Sequence, residues 1–294
     1  MRRNRTTARA TFVAAALSLL AAAVMSAPAS GNQQGAVPRL VFPLVAKAEL
    51  WDNWGDPRPQ GSHEGIDIAA ERRAPLVAVE PGRIEYATSG LGGCMLYLYG
   101  QSGTMYLYIH LNNDATARND NRGGCKLGVA YAARDGARVV AGEHIGMTGD
   151  SGDQNGNPGL HFEVHPNGGE DVNPYKHLKR AVKSLFAGRP GTVFSLGLRG
   201  KLVAAGAAAA TLRVDEVRVY PGGRWTEIDP RDVELVVPRG AEISDQIDQL
   251  TQPTFKALKA PVSVAAYTLK ATTTTGAMLG APGELVLGRV TPSR

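Results

Sequence analysis

The sequence has little of what marks several common protein classes. It contains only 2 cysteines, which form no Cys-x-x-Cys pair, so neither a zinc ribbon nor a disulfide-rich scaffold is indicated. It also lacks a basic body: four of its +5 net charges belong to arginines within the first nine residues, residues 31–187 carry a net −2, and residues 188–294 carry a net +3. The sequence therefore predicts no nucleic-acid partner, and it does not indicate an oligomeric state.

Long apolar runs are also scarce. The clearest run, from Phe12 to Val24, follows a basic stretch and precedes the small residues at Ala27 to Ala29. Its 13 residues fall short of the roughly 20 that span a bilayer. This order is typical of a cleaved signal peptide. We therefore expect residues 1–29 to be a signal peptide, no transmembrane segment to follow, and the protein to be secreted or periplasmic.

Export changes what the two cysteines predict. In an oxidising compartment a pair of thiols tends to form a disulfide. A bond between Cys94 and Cys125 would enclose residues 112–124, which are rich in Asn, Asp, Arg and Gly and have little to bury. We expect this bond to restrain that polar stretch.

The rest of the chain is patterned for short strands. β-branched and aromatic runs alternate with Gly, Pro, Asn and Asp, which predicts a mainly β, antiparallel fold. In one predicted strand, residues 104–110, the alternation favours Met105, Leu107 and Ile109 for the core, with His110 on the opposite face. Asn173 and Pro174 predict the start of a helix whose apolar stripe reaches Leu185, and Gly188 and Pro190 end it. We expect one domain over residues 30–187 and a smaller β-barrel or sandwich over residues 191–294, whose role the sequence does not reveal.

A pair of metal-ligand residue types stands where a loop enters an apolar run. His63 and Asp67 lie four residues apart, and a loop followed by a strand can turn both side chains towards one point. A lone His with a nearby Asp is more often a surface pair, so a third ligand is needed. The run from Leu160 to Val164 supplies one, because strand alternation puts His161 and Glu163 on the face opposite Leu160.

These segments together resemble the lysostaphin/LytM-type zinc peptidases of bacterial cell walls. The resemblance covers about residues 40–180 and rests on the order and spacing of four stretches: residues 55–67, 108–111, 160–164 and 172–175. It implies a zinc-peptidase domain over residues 30–187, with His63, Asp67 and His161 as the zinc ligands. It also implies that His110 assists catalysis. Such a site leaves a fourth position for water, whose pKa zinc lowers towards neutrality.

One position departs from the family pattern. Members usually carry a second catalytic His two residues before the third zinc ligand, and here that residue is Gly159. Two functions therefore stay open. One is an exported zinc metalloendopeptidase that cleaves peptidoglycan peptides, and the other is a zinc-bound but slow or inactive module that binds wall peptides or regulates another hydrolase. His144, His165 and His177 match no functional position of the family, and we expect them to be solvated.

Overall fold

The computed structural model describes residues 37–154, 156–206, 208–238, 242–243, 262–272 and 285–292. The predicted signal peptide lies outside these residues and remains a prediction. Within the described part, no helix has the length and apolar character to cross a membrane.

The elements before residue 190 are mostly short strands, as the sequence predicts. In chain order they are β1 (Ala48–Leu50), β2 (Pro57–Arg58), β3 (Gly61–Ser62), β4 (Ile66–Ala70), β5 (Pro75–Val77), β6 (Gly82–Ser89), β7 (Gly93–Gly100), β8 (Met105–Leu111), β9 (Arg138–Val139), β10 (His144–Met147), a 3-10 turn (Gly152–Gln154), β11 (Gly159–His165), a second 3-10 turn (Pro166–Gly168) and the helix α1 (Tyr175–Lys179). Seven of these strands form one antiparallel sheet in the order β1-β4-β11-β8-β7-β6-β9. Strands β5 and β10 form a separate ribbon, and β2 pairs with β3. The prediction of a mainly β, antiparallel fold is confirmed.

The face of β8 that enters the core is the opposite of the predicted one. Tyr106 and Tyr108 are fully buried in the main apolar cluster, whereas Leu107 and Ile109 lie on the other face and are not part of that cluster. Burial of Tyr108 is possible because its hydroxyl donates to Val77 O at 2.9 Å and accepts from Val79 N–H at 3.0 Å. Leu107 and Ile109 are nevertheless buried, with 8% of each exposed, and Met105 is half-buried, so the prediction is wrong for the main apolar cluster only.

The predicted helix begins near the expected residue but is much shorter. α1 ends at Lys179, and the chain beyond it pairs with the N-terminal segment, since Val182 N–H donates to Leu40 O at 2.9 Å and Val182 O accepts from Phe42 N–H at 2.8 Å. Leu185 packs in a second apolar cluster, not on a helix stripe. A strand-like bridge satisfies backbone groups that a longer helix would have satisfied internally.

The predicted disulfide is confirmed. Cys94, at the start of β7, is bonded to Cys125. The enclosed polar stretch is also held by a buried ion cluster, in which the Arg72 guanidinium contacts the fully buried carboxylates of Asp114 and Asp150. Asp114 in turn accepts from two backbone N–H groups of the stretch, at residues 120 and 121, at 2.7 and 2.8 Å. The stretch thus has a defined path without an apolar core of its own.

The described strands after residue 190 form a second seven-stranded sheet. They are β12 (Val193–Ala205), β13 (Ala209–Tyr220), β14 (Trp225–Val236), β15 (Glu242–Ile243), β16 (Val262–Thr268), β17 (Ala271–Thr272) and β18 (Leu287–Pro292). The order is β14-β13-β12-β16-β18-β15, and β17 pairs with β12. Val236 bridges Val286, which joins the end of β14 to the residues before β18. The barrel or sandwich prediction for residues 191–294 stays a prediction, because parts of that range lie outside the described residues.

Candidate metal centre

Strand register brings the three predicted metal ligands together. In the β4–β11 pair, His161 lies directly opposite Asp67. The β2–β3 hairpin delivers His63 to the same place, where its side chain is buried. His63 Nε2 is 3.2 Å from Asp67 Oδ1 and 2.9 Å from His161 Nδ1, and the latter two atoms are 3.0 Å apart. Three donor atoms from separate segments therefore converge on one point.

This donor set fits a zinc ion. Tetrahedral ligands at about 2.1 Å from zinc lie about 3.4 Å from one another, close to the separations seen here. The outer atoms of each ligand are already held by the protein. His63 Nδ1 donates to Asn53 O at 2.7 Å, and His161 Nε2 donates to Glu163 Oε1 at 2.9 Å. Each imidazole thus turns its other nitrogen to the centre, as ligating histidines do.

The carboxylate ligand is oriented in the same way. Asp67 Oδ2 accepts from Arg58 Nη2 at 2.6 Å and from Asn53 Nδ2 at 3.1 Å, while the Asn53 side-chain oxygen accepts the Asp67 backbone N–H at 3.2 Å. Arg58 and Asn53 are neighbours of the candidate centre that the sequence did not reveal, because nothing in their spacing marks them. Both fix Asp67 so that Oδ1 faces the two imidazoles.

Charge in the cluster is tightly coupled. Burial disfavours the ionised form of Asp67, but hydrogen bonds from His161 and Arg58 outweigh burial and lower the Asp67 pKa well below its ordinary value. Burial disfavours the protonated form of His161, but bonds to Asp67 and Glu163 raise its pKa to about 9. Burial likewise opposes ionisation of Glu163, and hydrogen bonds from His161 and His165 still lower its pKa. Both carboxylates therefore stay ionised, which is the state that a metal ligand and its hydrogen-bond partner require.

Gly65 lets the two ligand-bearing segments approach. A Cβ at this position would lie 2.5 Å from Phe162 O, 2.7 Å from His161 Nε2 and 2.9 Å from Glu163 Cγ. Real side chains do not make such contacts with backbone. The glycine between His63 and Asp67 is therefore required by the close passage of the loop over β11.

His110 reaches the site through a β-bulge. Between β7 and β8 the register shifts after Cys94, so two residues of β8 oppose one of β7, and His110 adopts the left-handed conformation with φ of 64°. Without the bulge, alternation would send the His110 side chain into the core with Tyr108. With it, His110 lies beside His161, with a distance of 6.1 Å between ring centroids.

The hydrogen bonds of His110 define which nitrogen faces the cleft. Its Nδ1 donates to Ser151 O at 2.9 Å, and its Nε2 lies 3.8 Å from Asp153 Oδ1. Burial lowers the His110 pKa, although the bond to Ser151 O opposes this. A neutral imidazole with its proton on Nδ1 leaves Nε2 free to accept a proton.

Gly159 is a close-packed position. It pairs with Ala69, and a Cβ on it would lie 2.7 Å from Ile68 O, so any larger residue would have to shift β11 away from β4. The loop that precedes it is pinned. Ser151 Oγ donates to Leu111 O at 2.6 Å, and Asp153 N–H donates to Leu91 O at 2.9 Å.

The centre lies between two connected depressions. One, of about 180 Å³, is lined by residues that include His63, Leu91 and Met95. The other, of about 400 Å³, includes Trp51 and Gly159. Five residues line both, and these are Arg58, Asp67, His110, Gln154 and His161. A chain-like ligand could cross the centre from one side to the other.

The expectation of solvated histidines is wrong for two of the three. His144 Nε2 donates to Gly146 O at 3.0 Å, and burial lowers its pKa to about 4. His165 is held between Glu163 and Gly169. His177 is half-buried on α1.

Comparisons with known proteins give several relatives. A protein named Uncharacterized metalloprotease from Haemophilus influenzae is 28% identical over 132 residues, which are 44% of this chain and 22% of that protein. Murein hydrolase activator NlpD from Salmonella typhimurium is 29% identical over 151 residues, 51% of this chain and 35% of that protein. Lipoprotein NlpD from Yersinia enterocolitica is 30% identical over 112 residues, 38% of this chain and 97% of that protein. The chain thus spans well under half the length of the first two relatives. No protein-family model matches it.

Solved structures give weaker likenesses. The catalytic domain of lysostaphin from Staphylococcus simulans has a TM-score of 0.35 at 25% identity, covering 46% of this chain and 92% of that one. A putative glycyl-glycine endopeptidase LytM from Ruminococcus gnavus has a TM-score of 0.38 at 23% identity, covering 50% and 63%. Scores of this size carry no argument about the site, which rests on the contacts above.

Proposed function

Because the chain belongs to the lysostaphin/LytM-type family, we propose that it is an exported zinc metalloendopeptidase that hydrolyses peptide bonds in the stem peptides or cross-bridges of peptidoglycan. The observation that carries this proposal is the convergence of His63 Nε2, Asp67 Oδ1 and His161 Nδ1 within 2.9–3.2 Å of one another. Further support comes from the outer atoms of these ligands, which are all held by the protein. Location outside the cytoplasm, secreted or periplasmic, is part of the proposal and rests on the predicted signal peptide.

In this proposal His63, Asp67 and His161 would hold zinc, which when bound would supply Lewis acidity to a water molecule and to the scissile carbonyl. His110 accepts the proton of the attacking water at Nε2, because its Nδ1–H is committed to Ser151 O. Arg58 and Asn53 keep the Asp67 carboxylate turned to the centre. The two depressions seat the peptide on either side of the scissile bond.

Gly159 leaves one proton-transfer or oxyanion partner unsupplied, and we propose that Gln154 takes its place. Gln154 is among the residues that line both depressions, as are His110 and His161. The backbone carbonyl of Gln154 accepts from the Asn157 N–H at 2.8 Å, which helps to hold the turn. An amide N–H aimed at the developing oxyanion can stabilise the transition state.

A second function has specific support. Several relatives are named murein hydrolase activators, and Gly159 removes a usual catalytic His. The same zinc-bound cleft could then bind wall peptides, with slow or no turnover, and regulate a separate hydrolase.

The test is release of new amino termini from purified peptidoglycan by the wild type and by His110→Ala, each with its zinc content measured. The peptidase proposal predicts measurable wild-type release and a loss of about 10²–10³-fold in His110→Ala at equal zinc. Wild-type release no greater than that of His110→Ala would refute it. Stimulation of a separate wall hydrolase by the zinc-bound chain would then identify the regulatory module.

A matched pair of amide variants tests the role of Gln154. Gln154→Ala should lower kcat by about 10-fold or more with zinc unchanged. Gln101→Ala is the control, because Gln101 is exposed and lines neither depression. Equal rates in the two variants would exclude Gln154 from catalysis.

A further inference from the structure

A carboxylate links a zinc-ligand candidate to a histidine that the proposed mechanism does not use. Glu163 Oε1 accepts from His161 Nε2 at 2.9 Å, and Glu163 Oε2 accepts from His165 Nε2 at 2.8 Å. All three residues belong to β11 and alternate along one face of it. Only 8% of the Glu163 side chain and 14% of the His165 side chain are exposed, so water competes little for these bonds.

The ring of His165 is fixed at its other nitrogen as well. His165 Nδ1 donates to Gly169 O at 2.9 Å. Gly169 closes the turn after β11, since its N–H donates to Pro166 O at 3.1 Å. Both ring nitrogens of His165 therefore face oxygen acceptors, and both must carry hydrogen to satisfy them. The ring cannot flip without losing its partners.

The turn at Gly169 fixes the orientation of His161 through His165 and Glu163. A carboxylate has two oxygens and rotates freely unless both are held. His165 holds one oxygen of Glu163, which keeps the other on His161 Nε2 and leaves His161 Nδ1 directed at His63 and Asp67. Without that restraint Glu163, which also lines the cleft, could turn away from His161.

We propose that His165 is a positioning residue of the metal centre, acting through Glu163 to fix the ring orientation and tautomer of His161. The inference rests on the proposed zinc site. It assigns a role to His165, which is connected to the zinc ligand His161 only through Glu163. A strand with His161 and Glu163 but without His165 would lack this restraint.

The test is the zinc dissociation constant, measured by chelator competition, of the wild type and of five variants. His165→Ala and Glu163→Gln should each weaken zinc binding by about 10–100-fold. The double variant should be no weaker than the worse single one, because the two residues act in series. His165→Gln, which keeps an N–H donor, should recover part of the loss. His177→Ala is the control and should bind as the wild type does, because His177 lies on α1 and lines neither depression.

A second readout keeps the inference separate from the proposed function. Long-range proton–nitrogen NMR of the metal-free and zinc-loaded protein reports which nitrogen of each imidazole carries hydrogen. In the zinc-loaded wild type His161 should keep hydrogen on Nε2 alone, and His165 should carry it on both nitrogens. Zinc binding by His165→Ala within twofold of the wild type, or additive losses in the double variant, would overturn the positioning role. Absence of zinc binding by the folded wild type would instead refute the proposed function, and the NMR state of metal-free His165 would still decide whether the Glu163 linkage exists.

Discussion

Replacing Gly65 by alanine is the sharpest perturbation of the ligand geometry. The added Cβ would lie 2.5 Å from Phe162 O, whereas a carbon–oxygen contact settles at about 3.3 Å. The loop that carries His63 must therefore move by about 0.8 Å relative to β11, which follows from the difference between those two distances. Zinc sites tolerate only about 0.2 Å of error in ligand distance.

We expect Gly65→Ala to weaken zinc binding by at least about 10-fold and to lower the free energy of unfolding by about 1–3 kcal/mol, because the added atom overpacks a closed contact. Urea titration of the metal-free protein measures the stability, and chelator competition measures the zinc affinity. Gly90→Ala is the matched control, since nothing lies within 4 Å of a Cβ at Gly90. Zinc affinity in Gly65→Ala within twofold of the control would show that the loop and β11 are not in the contact described.

Three other outcomes are expected. Arg72→Met should lower the free energy of unfolding by about 3–5 kcal/mol, because it leaves two buried carboxylates without a cationic partner. Urea titration measures this loss against the exposed control Arg122→Met, and a loss below about 1 kcal/mol would contradict the prediction. Reduction of the disulfide, which joins residues 31 apart, should cost about 3–4 kcal/mol by loop entropy, and an unchanged urea midpoint in reductant would contradict this. Burial lowers the pKa of His144 from about 6.5 in the unfolded chain to about 4 in the folded protein, so the unfolded chain takes up the proton first and stability falls as pH drops through this range. Between those pH values the free energy of unfolding of His144→Gln should fall by up to about 3 kcal/mol less than that of the wild type. Parallel curves of unfolding free energy against pH for the two proteins would contradict this.

The position of His110 shows how far sequence patterning reaches. Alternation separates the two faces of β8, but the face that joins the main apolar cluster carries Tyr106 and Tyr108 and not the predicted Leu107 and Ile109. Tyr108 is buried with its hydroxyl bonded to the backbone of β5. The β-bulge then reverses the face at His110. The sequence predicts neither the burial of the tyrosine face nor the β-bulge. The two reversals cancel, so the prediction that His110 lies on the side away from the core is still correct.

The candidate metal centre was predictable to the extent that it depends on strand faces. The alternation of β11 placed His161 and Glu163 together, and the spacing of His63 and Asp67 suggested a loop followed by a strand. The groups that orient the histidines of the site were not predictable, since two of them are backbone carbonyls, at Asn53 for His63 and at Ser151 for His110, that any residue could supply. Which oxygens and nitrogens face inward depends on contacts between residues distant in the chain, and no single segment encodes them.

The central claim is that His63, Asp67 and His161 form one zinc site. Crystals of the protein grown with zinc, with diffraction data collected on both sides of the zinc absorption edge, test it most directly. We predict one strong anomalous peak per chain, about 2.0–2.2 Å from His63 Nε2, Asp67 Oδ1 and His161 Nδ1. No peak among these three atoms, or a peak bound by other residues only, would contradict the claim.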